Sequence, residues 1–99
     1  TGYLRQGLMV KKKKILIVED HNDMMMILQK YLQESRFATI GAETAEIGLE
    51  KYQAEKPDLI LMDLMLPGMS GLQAIRKIKG DMQDNVYTPI IVLTAKNEI

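Results

Sequence analysis

Four short apolar runs alternate along the chain with segments whose apolar residues recur every three or four positions. The runs fall at residues 15–18, 38–42, 59–62 and 90–93. A short apolar run bounded by turn residues reads as a strand, and an unbroken one as a strand buried on both faces of a parallel sheet. The third run is the most sharply bounded. Pro57 and Asp58 precede it, the carboxylate of Asp63 ends it, and Pro67, Gly68, Ser70 and Gly71 follow. The second, interrupted by Thr39 and Gly41, is weaker and is expected nearer a sheet edge. The fourth, entered through Pro89, reads as another buried strand.

Between the runs the period changes. Met24, Ile27, Leu28, Tyr31 and Leu32 keep the i, i+3, i+4, i+7, i+8 spacing of one helix face. Asn22 or Asp23 is the expected N-cap. This spacing places Met24 in the core, with Met25 and Met26 nearer the exterior, so the methionine triplet reads as packing rather than as a soft binding surface. Thr44 caps a second helix running to about Glu55, with Ala45, Ile47 or Gly48, Leu49 and Tyr52 inward. Ser70 and Gln73 form a capping box for a third, whose stripe is Leu72, Ile75 and Ile78 with Ala74. Residues 80–88 form a polar connection. The order strand-helix-strand-helix-strand-helix-strand predicts an α/β domain with a parallel sheet covered on both faces.

Ninety-nine residues suffice for one small domain. With 46% hydrophobic and 26% charged residues, the composition is globular rather than disordered. Zero net charge gives no global field favouring nucleic acid or an acidic membrane. The absence of cysteine excludes a disulfide framework and a zinc-thiolate site, and fits a reducing compartment such as the cytoplasm. No apolar run approaches the roughly 18 residues that a membrane span requires. Residues 1–8 show no clear periodicity and precede Met9, so they are expected to be a leader or expression remnant, with the domain proper at 9–99. Lys11 to Lys14 reads as a solvated lead-in to the first strand rather than a nucleic-acid or lipid patch.

The chemistry gathers at the strand ends. The first run ends at Glu19-Asp20, the third at Asp63 and the fourth at Thr94. Carboxyl ends of parallel strands share one sheet edge, where open α/β sheets bind ligands. Three carboxylates meeting there repel one another unless a cation sits among them. An all-oxygen donor set suits Mg²⁺, Ca²⁺ or Mn²⁺. A carboxylate beside such an ion can attack phosphorus and form an aspartyl phosphate. His21, the single histidine, reads as a solvent-exposed loop residue rather than a general base or ligand, since metal sites usually take more than one such group.

The stretches ILIVEDHND, KPDLILMDLMLPGMSGL and TPIIVLTA, with the helices spaced between them, resemble the receiver domain of two-component response regulators. The resemblance covers residues 11–97, and the middle stretch is highly specific. It implies a doubly wound, flavodoxin-like sheet of order 2-1-3-4, counted from the first of the four runs; the family's further helix, fifth strand and last helix are expected to be absent. It implies that Asp63 is the phosphoacceptor, that Glu19, Asp20, Asp63 and the backbone carbonyl of Met65 hold Mg²⁺ or Mn²⁺, and that Thr94 is the switch hydroxyl with small Ala95 beside it. Met65 and Lys96 fall at the variable positions that tune phosphate hydrolysis. The implied donor is a phosphohistidine on a histidine kinase or phosphotransfer protein, with no direct nucleic acid or membrane contact by this domain. Such a domain is not a classical enzyme; complete, it catalyses its own phosphorylation and dephosphorylation. The family's active-site lysine, which ends its fifth strand, has no counterpart; Lys96, two residues past Thr94, is not that lysine.

Other Asp-dependent and nucleotide-binding classes fit less well. A haloacid-dehalogenase-type phosphatase needs a second Asp two residues after the first, where this chain has Met65. Dinucleotide and P-loop folds need glycines after the first strand, where Glu19-Asp20-His21-Asn22 stands instead. The alternative of another class is a receiver that does not turn over phosphate and acts as an interaction or oligomerisation module, pairing with a second copy through the Ile90–Leu93 edge.

Overall fold

Each apolar run forms a strand and each periodic segment a helix in the computed structural model, which describes residues 2–5, 8–81 and 87–93, with side chains at 11–80 and 87–93. The elements are β1 (Gly2–Arg5), β2 (Leu8–Lys11), β3 (Lys14–Val18), α1 (Asn22–Glu34), β4 (Ala38–Ala42), α2 (Ala45–Glu55), β5 (Leu59–Asp63), α3 (Gly71–Asp81) and β6 (Ile90–Leu93). The last four strands form one parallel sheet in the order β4-β3-β5-β6, the expected 2-1-3-4. β4 is an edge strand, as its weaker pattern implied.

The first ten residues carry two strands that their pattern did not indicate. β1 and β2 pair antiparallel as a separate two-stranded sheet, with Gly2 opposite Lys11 and Arg5 opposite Leu8. Four-residue strands are too short to show a period-2 signal, so they left no trace in the pattern. Lys11 closes this hairpin and Lys14 opens β3, so the lysine run links two strands.

Alternation along the strands sends side chains to two cores. Leu16, Val18, Ile60 and Met62 pack with Ala42, Ala45, Leu66, Ala74 and Ile78 under α2 and α3. Ile15, Ile17 and Leu61 pack on the opposite face with Met25, Leu28, Leu32 and Phe37 of α1 and the turn after it. Asp58 ties β3 to β5 at their starts. Its carboxylate accepts from the backbone N–H of Lys14 at 2.7 Å, and its own N–H donates to the Lys14 carbonyl at 2.8 Å.

The helix starts hold in two cases of three. Thr44 Oγ1 accepts from Ile47 N at 3.0 Å, capping α2. Ser70 and Gln73 form the reciprocal capping box of α3, at 3.0 and 3.2 Å. In α1, however, the N-cap is His21, not Asn22 or Asp23, and its side chain makes no cap bond. The inward face of α1 also differs. Met25 packs against the core, its sulfur close over Gly41 of β4, while Met24, Ile27 and Tyr31 are exposed. Residues 24–28 are all apolar, so their spacing allows two stripes about 100° apart; docking over β4 selects the one carrying Met25, Leu28 and Leu32. Leu72 likewise turns outward, and Ala74 and Ile78 take the buried positions of α3. β6 is not buried on both faces: Ile91 and Val92 are about half exposed, at 50% and 45%.

Candidate metal and phosphoacceptor site

The site lies where the sheet order reverses. From β3 the chain passes through α1 to β4 on one side, then through α2 to β5 on the other, and ligands of open α/β sheets bind outside the carboxyl ends at such a point. β3 delivers Glu19 and Asp20 there, and β5 delivers Asp63. Met62 is paired with Val18 and Asp63 with Leu93, so the register fixes both ends at one level. The N–H of Glu19 donates to the Ala42 carbonyl at 3.0 Å, and that of Leu64 to the Leu93 carbonyl at 3.3 Å, extending the ladders one residue beyond the strands.

Glu19 and Asp63 are buried, 4% and 1% exposed, and Asp20 is partly buried. Asp63 Oδ1 accepts from the backbone N–H of Met65 at 2.9 Å, which turns the chain sharply after β5. Asp63 Oδ2 and Asp20 Oδ1 are both buried and have no hydrogen-bond partner among the described residues. A buried carboxylate oxygen left unpaired is costly, and a cation removes that cost.

His21 completes the group. Glu19 Oε2 accepts from the backbone N–H of His21 at 3.0 Å and lies 2.9 Å from its ring Nδ1. The same Nδ1 stands 3.3 Å from Asp20 Oδ1. The hydrogen bond to Glu19, then the charges of Asp20 and Glu19, raise the His21 pKa above its ordinary 6.5. One donor atom from each of Glu19, Asp20, His21 and Asp63 can be chosen so that all lie within 4.8 Å of one another. The three acids expected from sequence are therefore together. His21 is solvent-exposed as expected, and its ring also contacts the acids; its position directly after the acid pair raises a ligand or general-base role, which ranks below an exposed loop residue on sequence alone. Thr94, Ala95 and Lys96 lie outside the described residues, as does the polar connection at 82–86.

Gly71 shapes the other wall. A Cβ there would run into the carbonyl oxygen of Asp63 and come within 2.9 Å of Leu64 Cα, so α3 can start this close to β5 only with glycine.

The donor set fits a hard divalent cation: clustered carboxylates, two of them with an unpaired buried oxygen. Residues 15–99 match the family described as response regulator receiver domain. The chain belongs to that family. It is 40% identical over 86 residues to the alkaline phosphatase synthesis transcriptional regulatory protein PhoP of Bacillus subtilis, covering 87% of this chain and 35% of that protein. Among solved structures it resembles the BeF3-activated N-terminal receiver domain of Klebsiella pneumoniae RstA, with a TM-score of 0.77 and 31% identity over 87% of this chain and 70% of that one. It also resembles a chain in the complex of histidine kinase ThkA with response regulator protein TrrA, with a TM-score of 0.77 and 34% identity over 87% of this chain and 72% of that one. The chain spans about a third of the length of the first curated relatives it matches.

Proposed function

We propose that Asp63 accepts a phosphoryl group through its free Oδ2 and that this modification switches a signalling output. The observation that carries the reading is the buried, unpaired Oδ2 beside Glu19 and Asp20 at the reversal point of the sheet. Met65 N–H fixes the other oxygen, so the carboxylate is held in one orientation with Oδ2 left free to attack. In the transfer, a P–O bond to Oδ2 forms as the P–N bond of a phosphohistidine breaks, and the imidazole leaves with the electron pair. Glu19, Asp20, Asp63 and the Met65 carbonyl are the groups that would hold Mg²⁺ or Mn²⁺, which neutralises charge on the phosphoryl oxygens. Thr94, next in the chain after Leu93, supplies the hydroxyl for a phosphoryl oxygen and so reports the modified state. The donor is a histidine kinase or phosphotransfer protein; the resemblance to a chain of a kinase–regulator complex supports that class of partner. A cytoplasmic location belongs to the same reading.

Incubation with Mg²⁺ and acetyl phosphate or phosphoramidate tests it. Intact-mass measurement should show one added phosphate, released by hydroxylamine and missing in Asp63→Asn. Retention of that phosphate in Asp63→Asn overturns the assignment.

A second reading is supported by β6. Its outer edge has no strand partner among the described residues, and Ile91 and Val92 are half exposed. In that reading the chain acts as an interaction module that pairs with a second copy through the Ile90–Leu93 edge.

A further inference from the structure

We infer that His21 is a direct ligand of the cation held by this site, making it a mixed nitrogen and oxygen centre that favours late first-row divalent ions over Mg²⁺. The inference rests on the metal site of the proposed function and adds a ligand to it.

The geometry is that of neighbouring donors on one ion. In an octahedral site with bonds of about 2.1 Å, adjacent ligand atoms stand about 3.0 Å apart. His21 Nδ1 lies 2.9 Å from Glu19 Oε2 and 3.3 Å from Asp20 Oδ1, so it has two neighbours at that spacing. Asp63 Oδ2 is buried and without a hydrogen-bond partner among the described residues. All four residues offer a donor atom within 4.8 Å of the others. The ring is placed by the backbone: His21 is the N-cap of α1, its N–H held by Glu19 and its carbonyl by the N–H of Met25 at 2.9 Å. With the ring 65% exposed, Nε2 can carry the proton into solvent while Nδ1 turns its lone pair inward.

Carboxylates alone suit Mg²⁺ and Mn²⁺, whereas an imidazole shifts preference along the series from Mn²⁺ through Co²⁺ to Ni²⁺.

Pulsed EPR of Mn²⁺ bound to the 99-residue chain should show nitrogen coupling from one imidazole. In parallel, calorimetric titration should find Co²⁺ bound more tightly than Mg²⁺. In His21→Gln the nitrogen coupling should vanish and Co²⁺ affinity should fall about tenfold or more, a loss seen even for outer partners of metal ligands, and by a larger factor than Mg²⁺ affinity. Asp20→Asn should weaken both metals, placing them at one site. If Mn²⁺ binds, Asp20→Asn weakens it, and no nitrogen coupling appears in the wild-type chain, His21 only hydrogen-bonds the acids. That result overturns the inference and leaves the phosphoacceptor reading standing. If neither ion binds, or Asp20→Asn changes nothing, the inference falls together with the metal site itself.

Discussion

Asp63 carries a carboxylate where water barely reaches, and the residues around it hold that charge in two different ways. One oxygen is satisfied by Met65 N–H, and the other is buried and unpaired, in a residue clustered with Glu19, Asp20 and His21. His21 is the one group in this cluster that can offset negative charge by gaining a proton. Because Glu19 bonds its ring, and Asp20 and Glu19 add their charges, protonation is favoured in the folded chain. The raised pKa has a defined sign. The contact contributes stability below pH 6.5, and that contribution is lost as pH rises through the higher folded value. With a single histidine in the sequence, an NMR titration in the presence of EDTA reads this directly. The midpoint should lie above 6.5 and move back toward it in Glu19→Gln. A wild-type midpoint at or below 6.5 would contradict the geometry.

At the scale of elements, the close approach of α3 to the end of β5 is set by Gly71. A methyl group there meets backbone, which cannot swing aside, so Gly71→Ala should destabilise by about 1–3 kcal/mol, the range of an overpacked core. Gly80, in the last turn of the same helix, has open space around its Cβ position. Gly80→Ala should therefore be neutral or stabilise by up to about 1 kcal/mol, through helix propensity alone. Urea denaturation of the two variants separates the effects; equal shifts would show that packing at Gly71 does not matter. The same contrast explains what was legible from sequence. β3 and β5 were readable because unbroken apolar runs ending in acids leave little choice of element or register. The caps at Thr44 and Ser70 were readable because side-chain chemistry acts within three residues. The rotation of α1 was not, since residues 24–28 are apolar throughout and only contact with Gly41 and Phe37's core settles which methionine goes in. The contact of the His21 ring with the acids was only partly legible: its place after Glu19-Asp20 pointed to it, but its distance to Asp20 depends on how the N-cap turns, which no spacing encodes.

The whole molecule is unevenly covered. One face of the sheet lies under α2 and α3, while the other has α1 as its cover among the described residues. Met24, Ile27 and Tyr31 of α1 and Ile91 and Val92 of β6 remain exposed. Each large apolar side chain left in water forgoes on the order of 1.5–3 kcal/mol of burial, against a total domain stability of about 5–15 kcal/mol. Among the described residues β6 is also an aliphatic sheet edge with no charge within it, the kind that pairs with another chain. Zero net charge supplies no long-range repulsion to keep copies apart. The 99-residue chain should therefore self-associate as its concentration rises. Light scattering after size exclusion should give a mass above 11.3 kDa. Ile91 belongs to neither core cluster, so Ile91→Lys places a charge on this strand without opening a cavity. That variant should return the mass toward the monomer while leaving the acid cluster intact, as judged by Mg²⁺ titration. A monodisperse wild-type chain of 11.3 kDa with a sharp, cooperative melt would show that the exposed strand and helix stripe do not drive association.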